Sequence, residues 1–157
     1  MIVIADTSPL NYLVLIDEID LLPAIFGQVL LPQAVLHELN HPNCPVKVRD
    51  WVNRLPQWLE VRTVVSIASP SLMRLDPGER EAIQLALEMG INTVLIDEMG
   101  AREAAERLNL EVRGTLGILE RGAKLGKTSF RGALSKLEQT SFRLAPAVRS
   151  AFLQRNP

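Results

Sequence analysis

The chain has 157 residues, a length that suits one domain with a sizeable core, and 47% of them are hydrophobic. A single cysteine, Cys44, excludes an internal disulfide and a zinc site built from cysteines, which fits a reducing, cytoplasmic environment. Because Met1 leads directly into an apolar segment, we expect no signal peptide. No apolar run approaches the roughly 18 residues that cross a membrane, so no membrane partner is expected.

Charge is unevenly distributed, although the net charge is only −1. Residues 1–120 contain 9 Lys and Arg against 17 Asp and Glu, a net of −8, whereas residues 121–157 contain 8 against 1, a net of +7. A basic end on an acidic body indicates a polyanionic or acidic partner, or else a solvated helix face. The sequence leaves both interpretations open.

The first predicted strand is Ile2–Ala5, a short apolar run that ends at Asp6. A run that is apolar on both faces is typical of a central parallel strand. Thr7 and Ser8 are good N-cap residues, and Pro9 suits a first helical turn, so a helix is predicted over 9–16. Asp6 is therefore expected at the carboxyl edge of the sheet, where open α/β sheets bind ligands.

Apolar runs alternate with helical periodicity through the rest of the sequence. Further strands are predicted at 29–31, 58–65 (an edge strand), 93–96 and 109–112, and further helices at 21–26, 32–40, 45–55, 76–88, 98–108, 114–125, 130–139 and 146–155. This alternation predicts an α/β fold with three α/β/α layers and a central, mainly parallel sheet of about five strands. We expect a single domain over 1–157, with 126–157 as a C-terminal helical extension.

Two predicted strands end in a carboxylate, Asp6 and Asp97. Strands that flank the switch point of a doubly wound sheet are neighbours, so these carboxylates should face one crevice. Like charges at that range favour a cation between them, and carboxylate oxygens prefer Mg²⁺ or Mn²⁺. Helix acids that could reach the site are Glu38, Glu79 and Glu81, although Glu79 is also the expected capping-box partner of Asp76.

Four segments together resemble the successive motifs of PIN domains. They are Asp6-Thr7-Ser8-Pro9-Leu10, Val35-Leu36-His37-Glu38-Leu39, Leu75-Asp76-Pro77-Gly78-Glu79-Arg80-Glu81-Ala82-Ile83 and Leu95-Ile96-Asp97-Glu98-Met99-Gly100-Ala101-Arg102. The sequence is most similar to a branch of uncharacterised PIN-like proteins related to VapC-type toxins, which Gly114-Thr115-Leu116-Gly117 also resembles. The order and spacing of the motifs carry the resemblance, which spans about residues 1–125.

The resemblance implies a Mg²⁺- or Mn²⁺-dependent ribonuclease with three or four acids at the carboxyl edge of the sheet. It assigns catalytic roles to Asp6, Glu38, Glu79 and Asp97. It implies metal ligation by Asp6, Asp97 and one of Glu79 and Glu81, with Glu79 slightly favoured. The residues expected to contact nucleic acid are Thr7, Ser8, Arg102, Lys124, Lys127 and Arg131.

The sequence leaves other functions and roles open. A catalytically weak or inactive PIN-fold module that binds nucleic acid or protein is the alternative, although the acids it would be expected to lose are present. RNA is the expected partner. A toxin role with an antitoxin protein fits the same activity, and a homodimer is expected from the resemblance and from apolar helix positions near the C-terminus.

Overall fold

The computed structural model describes residues 1–157 as one five-stranded sheet surrounded by helices. The strands are β1 (Ile2–Ala5), β2 (Gln28–Pro32), β3 (Leu59–Arg62), β4 (Thr93–Leu95) and β5 (Glu111–Arg113). The helices are α1 (Thr7–Leu15), α2 (Leu21–Phe26), α3 (Gln33–Leu39), α4 (Val46–Val52), α5 (Pro77–Met89), α6 (Met99–Arg107), α7 (Thr115–Lys124), α8 (Phe130–Glu138) and α9 (Pro146–Arg155). None of these helices has the length and apolar character needed to span a bilayer.

All neighbouring strands are parallel, in the order β3-β2-β1-β4-β5. The chain adds β2 and β3 on one side of β1 and then returns to add β4 and β5 on the other. The direction of winding therefore reverses between β1 and β4, which pair through Ile4 with Val94 and Ala5 with Leu95. This confirms the prediction that the two strands ending in aspartates are neighbours.

The sheet separates two hydrophobic clusters, as a three-layer fold requires. Alternate residues of a strand point to opposite faces, so Val3 and Ala5 join a cluster with helices α1, α2, α7 and α8, whereas Ile4 joins the cluster under α5 and α6. Both faces of β1 are completely buried at these positions. The α/β/α architecture predicted from the sequence is confirmed.

The edge strands are shorter and more polar than the central ones. β3 is at an edge, as predicted, but it ends at Arg62 rather than Val65 because its partner strand β2 ends at Pro32, the residue paired with Arg62. Beyond the strand, the Glu88 carboxylate accepts hydrogen bonds from the backbone N–H groups of Val65 and Ser66. Each edge strand carries a Glu–Arg pair two residues apart, Glu60–Arg62 on β3 and Glu111–Arg113 on β5.

Helix α1 begins two residues earlier than predicted. Asp6 occupies the N-cap position, although its side chain makes no capping hydrogen bond. Thr7 is the first helical residue, and its hydroxyl donates to the Glu38 carboxylate instead of capping the helix. The side chain of Asp6 therefore remains available at the sheet edge.

The two C-terminal helices differ in how they attach to the body. In α8, Phe130, Leu134 and Leu137 are buried within the same chain, so they need no second copy to cover them. The homodimer remains a prediction. Helix α9 has no buried residue. It contacts the body through stacking of Phe152 on Phe130, with ring centres 5.9 Å apart, and through the Arg155–Glu120 salt bridge at 3.1 Å.

This difference predicts unequal contributions of the two helices to stability. Leu134→Ala should lower the free energy of unfolding by about 2–5 kcal/mol, because it leaves a cavity in the core. Val148→Ala, on exposed α9, should change it by less than about 0.5 kcal/mol. Urea denaturation of both variants would measure the effects, and equal values would contradict the packing described here.

Candidate active site

Asp6 lies at the bottom of a crevice between β1 and β4. Its backbone N–H donates to Leu95 O at 2.9 Å, and its side chain is only 4% exposed. Burial, with a smaller contribution from the nearby carboxylates Glu79, Glu38 and Asp97, raises the pKa of Asp6 from 3.8 to about 8, against a lowering backbone hydrogen bond from Thr7. The structure thus brings together the four acids expected to be catalytic.

Glu38 reaches the crevice from α3 because glycine occupies position 78. The hydroxyl of Thr7 donates to Glu38 Oε2 at 2.8 Å and fixes the direction of that side chain. A Cβ atom at Gly78 would overlap Glu38 Oε2 and would lie 3.1 Å from Asp6 Oδ1. The bare backbone of Gly78 is therefore what allows these two carboxylates to approach each other. Burial raises the pKa of Glu38.

Glu79 enters the crevice from the first turn of α5. It forms the predicted capping box with Asp76, and its Oε1 accepts from the Asp76 N–H at 3.1 Å. Glu79 is 7% exposed, and burial, together with the charges of Asp76, Glu98 and Glu38, raises its pKa from 4.5 to about 7. The capping interaction therefore directs the Glu79 carboxylate toward the acidic site. Glu79 is thus both the predicted capping-box partner of Asp76 and one of the acids of the candidate site.

Asp97 is held by the residue that begins α7. Its Oδ1 accepts from the Thr115 N–H and its Oδ2 from the Thr115 hydroxyl, both at 2.7 Å. Burial raises the pKa of Asp97, while these two hydrogen bonds and the positive charge of Arg102 lower it. Arg102 Nη1 donates to Ile96 O at 3.2 Å, so the guanidinium lies against the end of the β4 segment.

Three other polar residues near the site, the predicted candidates Glu81 and Ser8 and the neighbouring Glu98, have different surroundings. Glu81 Oε1 accepts from the Ala34 N–H at 3.1 Å, which joins α5 to the first turn of α3. Glu98 is the N-cap of α6 and accepts from the Ala101 N–H at 2.9 Å. Ser8 is partly exposed in the first turn of α1. Of the two acids considered for the third position, Glu79 is the one whose charge raises the pKa of Asp6.

Three of the predicted basic contacts lie at the opposite end of α7 from Asp97, namely Lys124, Lys127 and Arg131. Lys124 and Arg131 line a surface depression together with Arg155, and Lys127 is exposed in the adjoining turn. Thr115 and Lys124 are nine residues apart on one helix, which corresponds to about 14 Å along its axis. The structure does not bring these three side chains to the carboxylates, and their contact with nucleic acid remains a prediction.

Two residues of the site were not assigned roles from the sequence. Gly78 lies between Pro77 and Glu79, which both indicate a helix start, and the pattern assigns no role to the glycine itself. Thr115 belongs to a motif that follows the last strand, and that motif assigns it no individual role. The position of Thr115 is the signal that identifies it. Thr115 begins the helix after β5, and β5 is the neighbour of β4, the strand that precedes Asp97. An N–H and a hydroxyl at such a helix start can donate to a carboxylate.

The donor set suits a hard divalent cation. None of the salt bridges in the structure involves Asp6, Glu38 or Glu79. As the side chains stand, no three His, Cys, Asp or Glu residues converge closely enough to hold an ion. Buried carboxylates with no basic partner gain from a cation, and their oxygens match the preference of Mg²⁺ or Mn²⁺. The chemistry of these donors therefore fits such an ion.

The close approach at Gly78 predicts a specific loss. Gly78→Ala should lower Mn²⁺ affinity at least about tenfold, because its Cβ would displace Glu38 and crowd Asp6. Calorimetric titration with Mn²⁺ would measure the affinity. Gly117→Ala is the matched control, since a Cβ there meets nothing within 4 Å. Equal affinity of both variants and the wild type would contradict a role for Gly78.

The raised pKa values predict how stability depends on pH without metal. Because the folded protein holds the Asp6 proton up to a pKa of about 8, against 3.8 in the unfolded chain, this contribution is complete below pH 4 and is lost as pH rises toward 8. The Asp6→Asn side chain does not titrate, so the stability of this variant does not fall with pH for this reason. Its free energy of unfolding relative to wild type should therefore increase by at least about 1.4 kcal/mol, one pKa unit, between pH 5 and 8.

This pH effect is measured by urea denaturation in EDTA. The control is Asp50→Asn, an exposed position on α4, for which the difference from wild type should stay constant. A constant difference for Asp6→Asn as well would show that Asp6 does not keep its proton in the folded protein.

Comparison with known families identifies the chain. A family model described as DUF3368, a PIN domain, matches residues 2–156. Comparisons with curated proteins and with solved structures gave no match. PIN domains are generally nucleases that use divalent metal ions, and the match includes all four acids together with the two C-terminal helices. From its sheet, its acidic crevice and this match over nearly its whole length, the chain belongs to the PIN-domain family.

Proposed function

We propose that this protein is a metal-dependent endoribonuclease that hydrolyses RNA phosphodiesters with Mg²⁺ or Mn²⁺. The observation that carries the proposal is the meeting of Asp6, Glu38, Glu79 and Asp97 at the switch point of the sheet, where the first three have no basic partner. Family membership supports a nuclease role, and the uneven charge of the chain supports a polyanionic substrate.

Asp6, Asp97 and Glu79 would hold the ion. A bound divalent cation supplies Lewis acidity, which activates a water molecule and stabilises negative charge on the phosphoryl oxygens. Asp6 and Glu79, whose pKa values are near or above neutral, would release their protons when the ion binds. Both groups are buried, so the site also limits access of bulk water.

The remaining polar groups orient these acids. Thr7 holds Glu38 through its hydroxyl, and Thr115 holds both oxygens of Asp97. Neutral donors of this kind direct a carboxylate without cancelling its charge, so the charge remains available to a ligand. Hydrogen bonds to ligand carboxylates commonly account for 10- to 100-fold in metal affinity or activity.

The biological role is also a proposal. A toxin that acts with an antitoxin protein, and a homodimeric assembly, are both supported by the resemblance to VapC-type toxins. The gene neighbouring this one would distinguish a toxin pair from an RNA-processing enzyme, and sedimentation would measure the mass of the assembly.

The activity is tested with purified protein, Mn²⁺ and two substrates. Wild-type protein should cleave a fluorescent single-stranded RNA and should also hydrolyse bis(p-nitrophenyl) phosphate, a small diester that needs only the metal centre. Asp6→Asn should lower both rates by at least about 100-fold, since it removes a charged ligand at the centre of the site. A wild-type protein that hydrolyses neither substrate would overturn the proposal.

Glu79 and Glu81 provide a matched pair for identifying the third acid. Glutamine keeps an acceptor oxygen in both cases, for the Asp76 N–H at position 79 and for the Ala34 N–H at position 81. We expect Glu79→Gln to lower Mn²⁺ affinity and cleavage at least about tenfold and Glu81→Gln to leave both within about twofold. Calorimetry and the diester assay would measure these effects, and the reverse ranking would assign the role to Glu81.

A further inference from the structure

A groove of about 470 Å³ opens directly beside Asp97. Its floor is formed by the end of β5 and the start of α7, around Val112 and Leu116. Its outer wall is formed by the turn between α8 and α9 and by α9 itself, from Phe142 to Phe152. The groove has the volume of a typical small-molecule pocket, and Asp97 of the candidate active site is one of its lining residues.

Positive charge dominates the lining of this groove. Three arginines face it, Arg102, Arg113 and Arg143, and Asp97 is its only acid. Arg102 is held against the Ile96 carbonyl at 3.2 Å. Arg113 makes only a loose pair with Glu111, at 3.8 Å, and Arg143 is exposed on the α8–α9 turn. Arg143 is therefore the residue by which the basic C-terminal segment reaches the groove beside Asp97.

The walls between these charges are apolar and partly open to solvent. Met99 is 71% exposed and Val148 is 42% exposed, although both are large hydrophobic residues at the groove. Inorganic phosphate or a metal ion would gain nothing from such walls. A ligand that combines a flat apolar body with negative charge would use both the walls and the arginines.

The outer wall is fixed in place from the side of the active site. Tyr12, one turn beyond the start of α1, meets Phe142 edge-to-face at 5.0 Å, and its hydroxyl lies 3.1 Å from Ser141 Oγ. Thr140 closes the turn through its hydroxyl, which donates to Leu137 O and accepts from the Phe142 N–H. The groove therefore exists before any ligand binds, which lowers the entropic cost of binding.

We propose that this groove binds the nucleotide next to the scissile phosphate of single-stranded RNA. The base lies against Met99, Val148 and the floor, and the adjoining phosphates contact Arg113 and Arg143. The reaction that this binding serves rests on the proposed function, whereas the binding itself does not require the metal.

A single strand fits this surface better than a duplex. Bases of a single strand are free to leave their neighbours and pack on apolar side chains, whereas paired bases of an A-form helix are stacked and covered. Only an unpaired nucleotide presents a flat apolar face and a phosphate to the groove at the same time.

The proposal is tested by fluorescence anisotropy of a labelled eight-nucleotide RNA, measured in EDTA so that no cleavage contributes. We expect Arg113→Gln with Arg143→Gln to weaken binding at least tenfold and to reduce the log–log salt slope by about 1.4, since each phosphate contact on a single strand accounts for about 0.7. Val148→Glu, which places a negative charge at the wall, should weaken binding at least fivefold. A duplex of the same sequence should bind at least tenfold more weakly than the single strand.

Three further measurements keep the test specific. Arg54→Gln, an exposed position in the turn before β3, removes the same charge away from the groove and should leave affinity unchanged. Circular dichroism melting should show that every variant is folded. Wild-type affinity in the groove variants, or a tenfold loss in Arg131→Gln instead, would overturn the proposal and place RNA at the far end of α7.

The two proposals can fail separately. If bis(p-nitrophenyl) phosphate is not hydrolysed but the groove variants lose RNA binding, the proposed reaction fails and the groove remains. If the diester is hydrolysed and the groove variants bind RNA as the wild type does, the groove proposal fails and the reaction remains. Absence of any RNA binding by the wild type overturns the groove proposal and favours a protein ligand.

Discussion

Burial of carboxylates that have no basic partner is the constraint on which the rest of this structure depends. Three acids, Asp6, Glu38 and Glu79, meet in one crevice with no basic side chain paired to them, and burial raises all three pKa values. The groups that do contact them are neutral, such as the Thr7 hydroxyl and the Asp76 N–H. Such an arrangement costs stability, which is a common property of sites that bind or react.

Chain topology supplies the rest of the site. Winding away from β1 in both directions places the ends of β1 and β4 side by side, and the helices that follow begin at the same edge. Helix α1 then links this edge to the C-terminal turn, because Tyr12 holds Phe142. Asp6 and the groove wall are thus attached to one short helix, although more than a hundred residues separate Asp6 from Phe142 in sequence.

Local patterns predicted the elements well, because hydrophobic periodicity and helix-start signals depend on near neighbours. Asp6 and Asp97 could be paired in advance since strand ends follow from topology. The positions of charges on the surface could not: Arg143 lines the groove beside Asp97, whereas Lys124 lies at the far end of α7. Nor does periodicity reveal that Glu88 binds the segment after β3, since that carboxylate comes from a helix 22 residues beyond Ser66.

The two edge strands have a consequence for the protein in a crowded cell. An open edge offers unpaired N–H and C=O groups to any passing strand, which is a route to aggregation. Here β3 offers four residues and β5 only three. The Glu60–Arg62 and Glu111–Arg113 pairs would lose their hydration if another strand docked. Beyond β3, Glu88 occupies the backbone N–H groups of Val65 and Ser66, so these groups are not offered to a strand of a neighbouring molecule.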